Sequence, residues 1–303
     1  MTIIDCRPFL AVGVSFLAVI LIAFSRRWPN LREAWSVIAS VLKFGIILSM
    51  LPAVLDGNVY QWTLCQITDT VGLTLRTDPA GMIFATLASM LWVPMNFYSI
   101  GYMRCNQERE QTGYFAAFAM CMSAVMGIAM AENLLTFFIF YELLTLASYP
   151  LVLHKRNQEA LMASRKYLIY TLISGQLFLA GVIAVYCISG TMDFTPGGFL
   201  TTDMAPRWVL QAIFVLMILA GSVKAAVMPL HGWLPAAMIA PTPVSALLHA
   251  VAVVKTGVFA VLRIIGFVFG PKLLAEIGVV DVLAWAAAAS IIISSLIALR
   301  QDH

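Results

Sequence analysis

The chain has 303 residues, 61% hydrophobic and 11% charged, whereas a soluble domain carries about 25% charged residues. That composition excludes a soluble globular fold and predicts an all-α polytopic membrane bundle, one membrane domain over residues 1–303. The formal net charge of +3 is too small to imply a nucleic-acid partner. The bilayer is the expected surroundings, and a cell's inner (cytoplasmic) membrane the expected location.

A membrane-crossing helix needs about 20 apolar residues, and nine runs approach that length. They are Phe9–Ser25, Ala34–Leu55, Pro79–Met103, Gly113–Ala131, Leu134–Leu153, Tyr167–Ser189, Trp208–Met228, Val244–Phe269 and Asp281–Leu299. The short polar start Met1–Asp5 runs into the first of these with no small-residue cleavage pattern, so that span is expected to stay as an anchor. Placing the N-terminus outside puts Arg26, Arg27, Arg32, Arg104, Arg109, Lys155, Arg156, Arg165, Lys166 and Arg300 inside. It leaves Arg7, Arg76, Arg207 and Lys272 outside. Cytoplasmic loops carry the excess of Lys and Arg, so this bias supports nine spans with the N-terminus out. Between Asp56 and Asp78, Val71, Leu73 and Leu75 alternate with Gly72, Thr74 and Arg76, a strand-like period that predicts a small external hairpin. Pro196-Gly197-Gly198 marks a second external loop, Thr191–Pro206, as turn.

Five scattered cysteines (Cys6, Cys65, Cys105, Cys121, Cys187) contain no CxxC pair, and GxGxxG, GxxxxGK[ST] and HExxH are all missing. Disulfide frameworks and metal sites need patterned ligands, and nucleotide sites need glycine loops. No catalytic residue, metal or cofactor is therefore predicted.

The chemistry is expected in charged residues at membrane depth, where each cation costs about 2.5 kcal/mol or more and is generally retained for transport, relay or binding. Val223–Arg263 is apolar yet carries Lys224, His231, His249 and Lys255, and Pro229, Pro235, Pro241 and Pro243 interrupt it. Proline removes a helical donor, and a break at this depth persists only where protein or a hydrated cavity satisfies the freed groups. Lys224 lies five residues before Pro229, about 7–8 Å along a helix. His249 and Lys255 share the eighth predicted span and point about 120° apart, with Thr256 on the face of His249. His231 and Trp233 fall in the break. Glu142 sits about nine residues into the fifth span and must be protonated or paired. Glu132 heads the same span beside Asn133, where helix capping and a functional role both stay open. Lys43 is a further mid-span cation with nothing near it in sequence to pair with, so a partner glutamate and a snorkelling tail both stay open. His154, beside Lys155 and Arg156, is expected at an interface.

The runs FIFYELLTLASYPLV and KAAVMPLHGWLPAAMIAPTPVSALLHAVAVVKTGVF resemble the antiporter-like subunits shared by respiratory complex I, Mrp sodium/proton antiporters and membrane-bound hydrogenases. The resemblance runs from about Leu73 to Asp302. It implies two inverted five-helix repeats, each with a broken helix, and a glutamate–lysine pair in the first repeat that falls on Glu142 and Lys224. Lys255 and His249 match the central axis that follows. Residues 113–269 would form the first repeat, and residues 281–303, ending in LRQDH, the start of a second that this chain does not complete. The implied function is proton or sodium translocation within a redox-driven or Mrp-type complex. Its implied partners are other membrane subunits, a polypeptide supplying the second repeat, and peripheral redox subunits. Two rival readings stand beside it. One is a structural or assembly half-subunit, which the incomplete second repeat favours. The other is a histidine-ligated haem electron carrier, for which only His231 and His249 lie near span depth and paired histidines on facing helices are lacking.

Overall fold

The computed structural model describes residues 2–68 and 71–301, with the side chains of residues 247–250 outside the described set. Among the described residues, nine helices are long and apolar enough to cross a membrane. Strand β1 (Thr2–Ile4) precedes α1 (Arg7–Phe24) and α2 (Pro29–Leu55). Strands β2 (Val59–Gln66) and β3 (Gly72–Arg76) follow, then α3 (Pro79–Cys105), α4 (Gln111–Ala129), α5 (Leu134–Val152) and α6 (Gln158–Ser189). Pro8, Pro29 and Pro79 stand in the first turns of α1, α2 and α3, where the missing N–H has no helical partner to lose. Asp78, Asn133 and Asn157 cap α3, α5 and α6, accepting from the amides of Gly81 (2.9 Å), Thr136 (2.8 Å) and Ala160 (2.8 Å). Such caps satisfy one of the four orphan donors at a helix start.

The predicted hairpin is present, and it gains a third strand. β2 and β3 pair antiparallel with Gln61 opposite Arg76 and an irregularity between Thr63 and Cys65, while β1 pairs parallel to β2. The sheet rests on the head of α5, where the Glu132 amide donates to Thr74 O at 3.1 Å.

Helix α4 forms the centre of one half of the bundle, packed against α1 and α5 and buried along nearly its whole length. Helix α7 (Arg207–Lys224) packs on α6 and is followed by a 3-10 turn (Leu230–Gly232), α8 (Trp233–Ala237) and α9 (Thr242–Ala250). Next come α10 (Val253–Arg263), a π-helical stretch (Ile264–Phe269), α11 (Gly270–Ile277) and α12 (Val280–Ala298). No residue of α12 is buried.

Three predicted boundaries are corrected, the first being the sixth span, which begins at Gln158 rather than Tyr167. The seventh span ends at Lys224 rather than Met228, so Lys224 is itself the last helical residue and the break begins there. The eighth crossing helix is Val253–Ile277, not Val244–Phe269. α9 is separated from it at Val251–Ala252, where Ala252 has φ −101° and ψ −86°. His249 and Lys255 therefore lie on different helices. The angular argument from one straight helix does not apply to them, nor to His249 and Thr256.

Candidate ion-path site

Helix α7 stops because its last carbonyls are taken by the chain that follows. Ala226 adopts φ +56°, Val227 N donates back to Ser222 O (3.0 Å) and Ala226 N to Val223 O (3.1 Å), a left-handed C-terminal closure. The buried Trp233 side chain then donates Nε1–H to the same Val223 O at 2.7 Å. The break is thus satisfied by protein, as membrane depth requires. Gly257 of α10 lies against this terminus, and a Cβ there would overlap the backbone of Lys224 and Ala225.

Lys224 is completely buried. Its amine donates to Tyr141 O at 2.5 Å and lies 3.3 Å from the centre of the Tyr141 ring. The predicted direct Glu142–Lys224 ion pair is absent among the described contacts. The backbone carbonyl one residue before Glu142 holds the lysine instead. Glu142 Oε1 is buried and has no hydrogen-bond partner. The carboxylate lies against Gly175 of α6, where a Cβ would collide with it. Hydroxyls surround the pair: Ser174 donates to Ala220 O (2.7 Å), Tyr141 to the same oxygen (3.3 Å), and Ser148 and Tyr167 lie 2.6 Å apart. Tyr141, Gly175 and Trp233 are thus part of the site. The sequence pointed only to Trp233, through its place in the break.

Lys255 and Lys43 do not join this pair among the described contacts. Lys255 is exposed on the outward face of α10, while Thr256 beside it is buried with an unpartnered hydroxyl. His249 lies on α9, and its side chain is outside the described residues. His231 is half-buried in the 3-10 turn, with Nδ1 buried and unpartnered.

Lys43 is completely buried and belongs to another part of the bundle. It donates to Met122 O at 2.8 Å and sits 4.6 Å over the Trp92 ring, so it has neither a glutamate partner nor a snorkelling tail. Glu132 does not cap α5, because Asn133 does. Glu132 accepts from Gln61 Nε2 at 3.0 Å and lies 3.6 Å from Arg76. Burial, and next the neighbouring Asp193 carboxylate, raise its acid above the ordinary glutamate value. It borders a cavity of about 40 Å³ shared with Arg76, Asp78 and Arg263. His154 is nearly buried against the Tyr114 ring, 3.7 Å from Glu108.

Several proteins are similar to this chain in sequence or in fold. The mnhA2 protein of Staphylococcus haemolyticus, named as an antiporter subunit, is 27% identical over 290 residues, covering 95% of this chain and 36% of its own length. NAD(P)H-quinone oxidoreductase subunit 5 of Paulinella chromatophora is 28% identical over 279 residues, covering 86% and 41%. The fold matches a chain of an archaeal membrane-bound sulfane sulfur reductase with a TM-score of 0.76 at 22% identity, over 86% of this chain and 53% of that one. The present chain spans about a third to a half of the length of these relatives. The profile of membrane subunits described as NADH:quinone oxidoreductase/Mrp antiporter, TM, matches residues 131–303, more than half of the chain, and the chain belongs to that family.

Proposed function

We propose that this multi-pass membrane protein carries part of a proton or sodium path within a multisubunit energy-converting complex of the Mrp or complex I kind. The supporting observation is the placement of Lys224. A completely buried lysine ends a helix at a membrane-depth break, anchored to the carbonyl next to a half-buried carboxylate whose Oε1 is buried without a hydrogen-bond partner. A lysine held there by a neutral acceptor exchanges its proton without having to break an ion pair first. Glu142 is the nearby group that responds to its charge. From Lys224 the path continues through His249 and Lys255. The exposed Lys255 and the unburied α12 are each open to a neighbouring membrane subunit, which supplies the second repeat. Peripheral redox subunits or further antiporter subunits complete the assembly, with the basic loops on the cytoplasmic side.

The test is Lys224→Ala in the assembled complex, read as acidification of inverted vesicles by a pH-sensitive dye. Translocation at the unaltered rate, with the complex intact, would remove this path. Loss of translocation with assembly preserved supports it.

A further inference from the structure

One buried lysine lies apart from the Glu142–Lys224 pair. Lys43 lies on α2, far along the chain from the Glu142–Lys224 pair, and is as inaccessible as Lys224. An ammonium has three donors, yet one acceptor, Met122 O, and the face of Trp92 are its partners among the described contacts. The Trp92 indole Nε1 beneath it is also buried without a partner. A buried cation with so few partners is expensive.

One side of Lys43 is apolar and the other is not. Toward the start of α2, Ser40 and Ser36 follow at one-turn intervals, both completely buried. Ser36 donates to Asn96 Oδ1 at 2.7 Å, and Asn96 Nδ2 returns a bond to Ser36 O at 3.2 Å. The ladder ends at Glu33, ten residues and about 15 Å from Lys43. There the buried Glu33 carboxylate pairs with Arg104 and lies 3.3 Å from Arg32. Of the titratable groups on α4, the Tyr114 hydroxyl donates to Ser99 at 3.1 Å and the Cys121 thiol is buried. α1 contributes Arg7, which reaches α2 at its far end through Ser49 O (3.2 Å) and pairs with Asp5. No carboxylate lies within ion-pair distance of Lys43 among the described residues. Buried polar groups in such a row are the usual partners of ordered water.

We infer that Lys43 is a second proton-binding site of this chain, reached through the α2–α3 interface from the side of Glu33 and Arg104. Its nitrogen lone pair takes the proton from a hydronium arriving along Ser36 and Ser40, leaving water behind, and later hands it on to another water molecule, which leaves as hydronium. The ligand is a proton, and the Glu33–Arg104 pair is the mouth of the route. The inference goes beyond the Glu142–Lys224 reading and does not need it.

Two measurements on the full chain in its native complex test it. With the exposed cysteines replaced by serine, Ser40→Cys is challenged with a small membrane-impermeant thiol reagent from each side of sealed vesicles. Labelling only from the side of Glu33 and Arg104 is the expected result. No labelling, or labelling from the opposite side, overturns the route. Lys43→Met should lower translocation by about a hundredfold, the usual contribution of a positioned proton-transfer group, with assembly retained and no rescue in Lys43→Arg, whose guanidinium keeps the charge but cannot release the proton; full rescue in Lys43→Arg overturns the proton-binding role. Unchanged translocation in Lys43→Met overturns the site. If that variant does not assemble, the Ser40→Cys labelling decides. If Lys224→Ala translocates normally while Lys43→Met does not, the Glu142–Lys224 reading fails and this one stands.

Discussion

The contact between Asp78 and Arg263 permits a quantitative forecast. Asp78 does two things at once: it caps α3 through Gly81 N, and its two carboxylate oxygens accept from both terminal nitrogens of Arg263 on α10, one at 2.7 Å. Arg263 is 2% exposed and stacked among Phe194, Phe259 and Phe267 at 4.6–5.0 Å. Removing one partner of a buried pair costs about 3–5 kcal/mol, because the other charge is left uncompensated. The Asp78 side chain is 19% exposed, and Arg263 keeps its three rings and a long contact to Ala129 O. Asp78→Asn, which retains the cap, is therefore expected near the low end, about 3 kcal/mol. Asp78→Ala should lose about 1 kcal/mol more with the cap. Arg263→Met combined with Asp78→Asn should recover most of the loss, since no uncompensated buried charge is then left behind. The assay is reversible unfolding of the purified chain in mixed micelles, followed by circular dichroism. An Asp78→Asn variant within about 0.5 kcal/mol of the parent, the range of ordinary surface changes, would refute the reasoning. Strict additivity of the two single variants would refute it as well.

Three further outcomes are expected. Trp233→Phe removes the bond to Val223 O but leaves that carbonyl its Ala226 partner, so the same unfolding assay should show a loss of about 1 kcal/mol. Gly270→Ala should cost more: Gly270 has φ +77° and ψ +147°, a region essentially confined to glycine and worth about 1–3 kcal/mol of strain, and its Cβ would overlap the Gly197 carbonyl. For Glu132, burial followed by Asp193 raises the folded-state acid above its unfolded value. The folded chain then binds more protons, so stability should fall as pH rises from about 4.3, the ordinary glutamate value, through the raised value. Glu132→Gln should lack that slope, and a parallel decline in the variant would contradict the assignment.

Much of the architecture was legible because lipid imposes its own grammar. All nine predicted runs appear as crossing helices among the described residues, and the alternation at Leu73 and Leu75 marked the strand that forms. What the sequence concealed came from contacts between distant segments. α7 ends at Lys224 because Trp233 and Val227 reach back for its carbonyls, not because a proline stands there. The polypeptide turns again at Ala252, a residue without a breaker signature, and this undid the helical-wheel relation of His249 to Lys255. The glutamate and lysine singled out for pairing were brought to one place, but their intermediary is a backbone oxygen, which no residue pattern announces. Asp78 and Arg263 are separated by 185 positions, and neither lies in a recognisable motif.

The tyrosine carbonyl beneath Lys224 has a consequence for how such a site is read. A carboxylate partner competes for the proton and so reports on the charge of the amine it holds. An amide oxygen has no proton of its own to trade; it accepts from ammonium and free amine, more strongly from the ammonium. The lysine is thereby fixed in position while its charge is left for its wider surroundings to set. Control of the proton can then lie in the field from neighbouring helices or subunits, and a distant event need alter only a potential, not a geometry, to act on it.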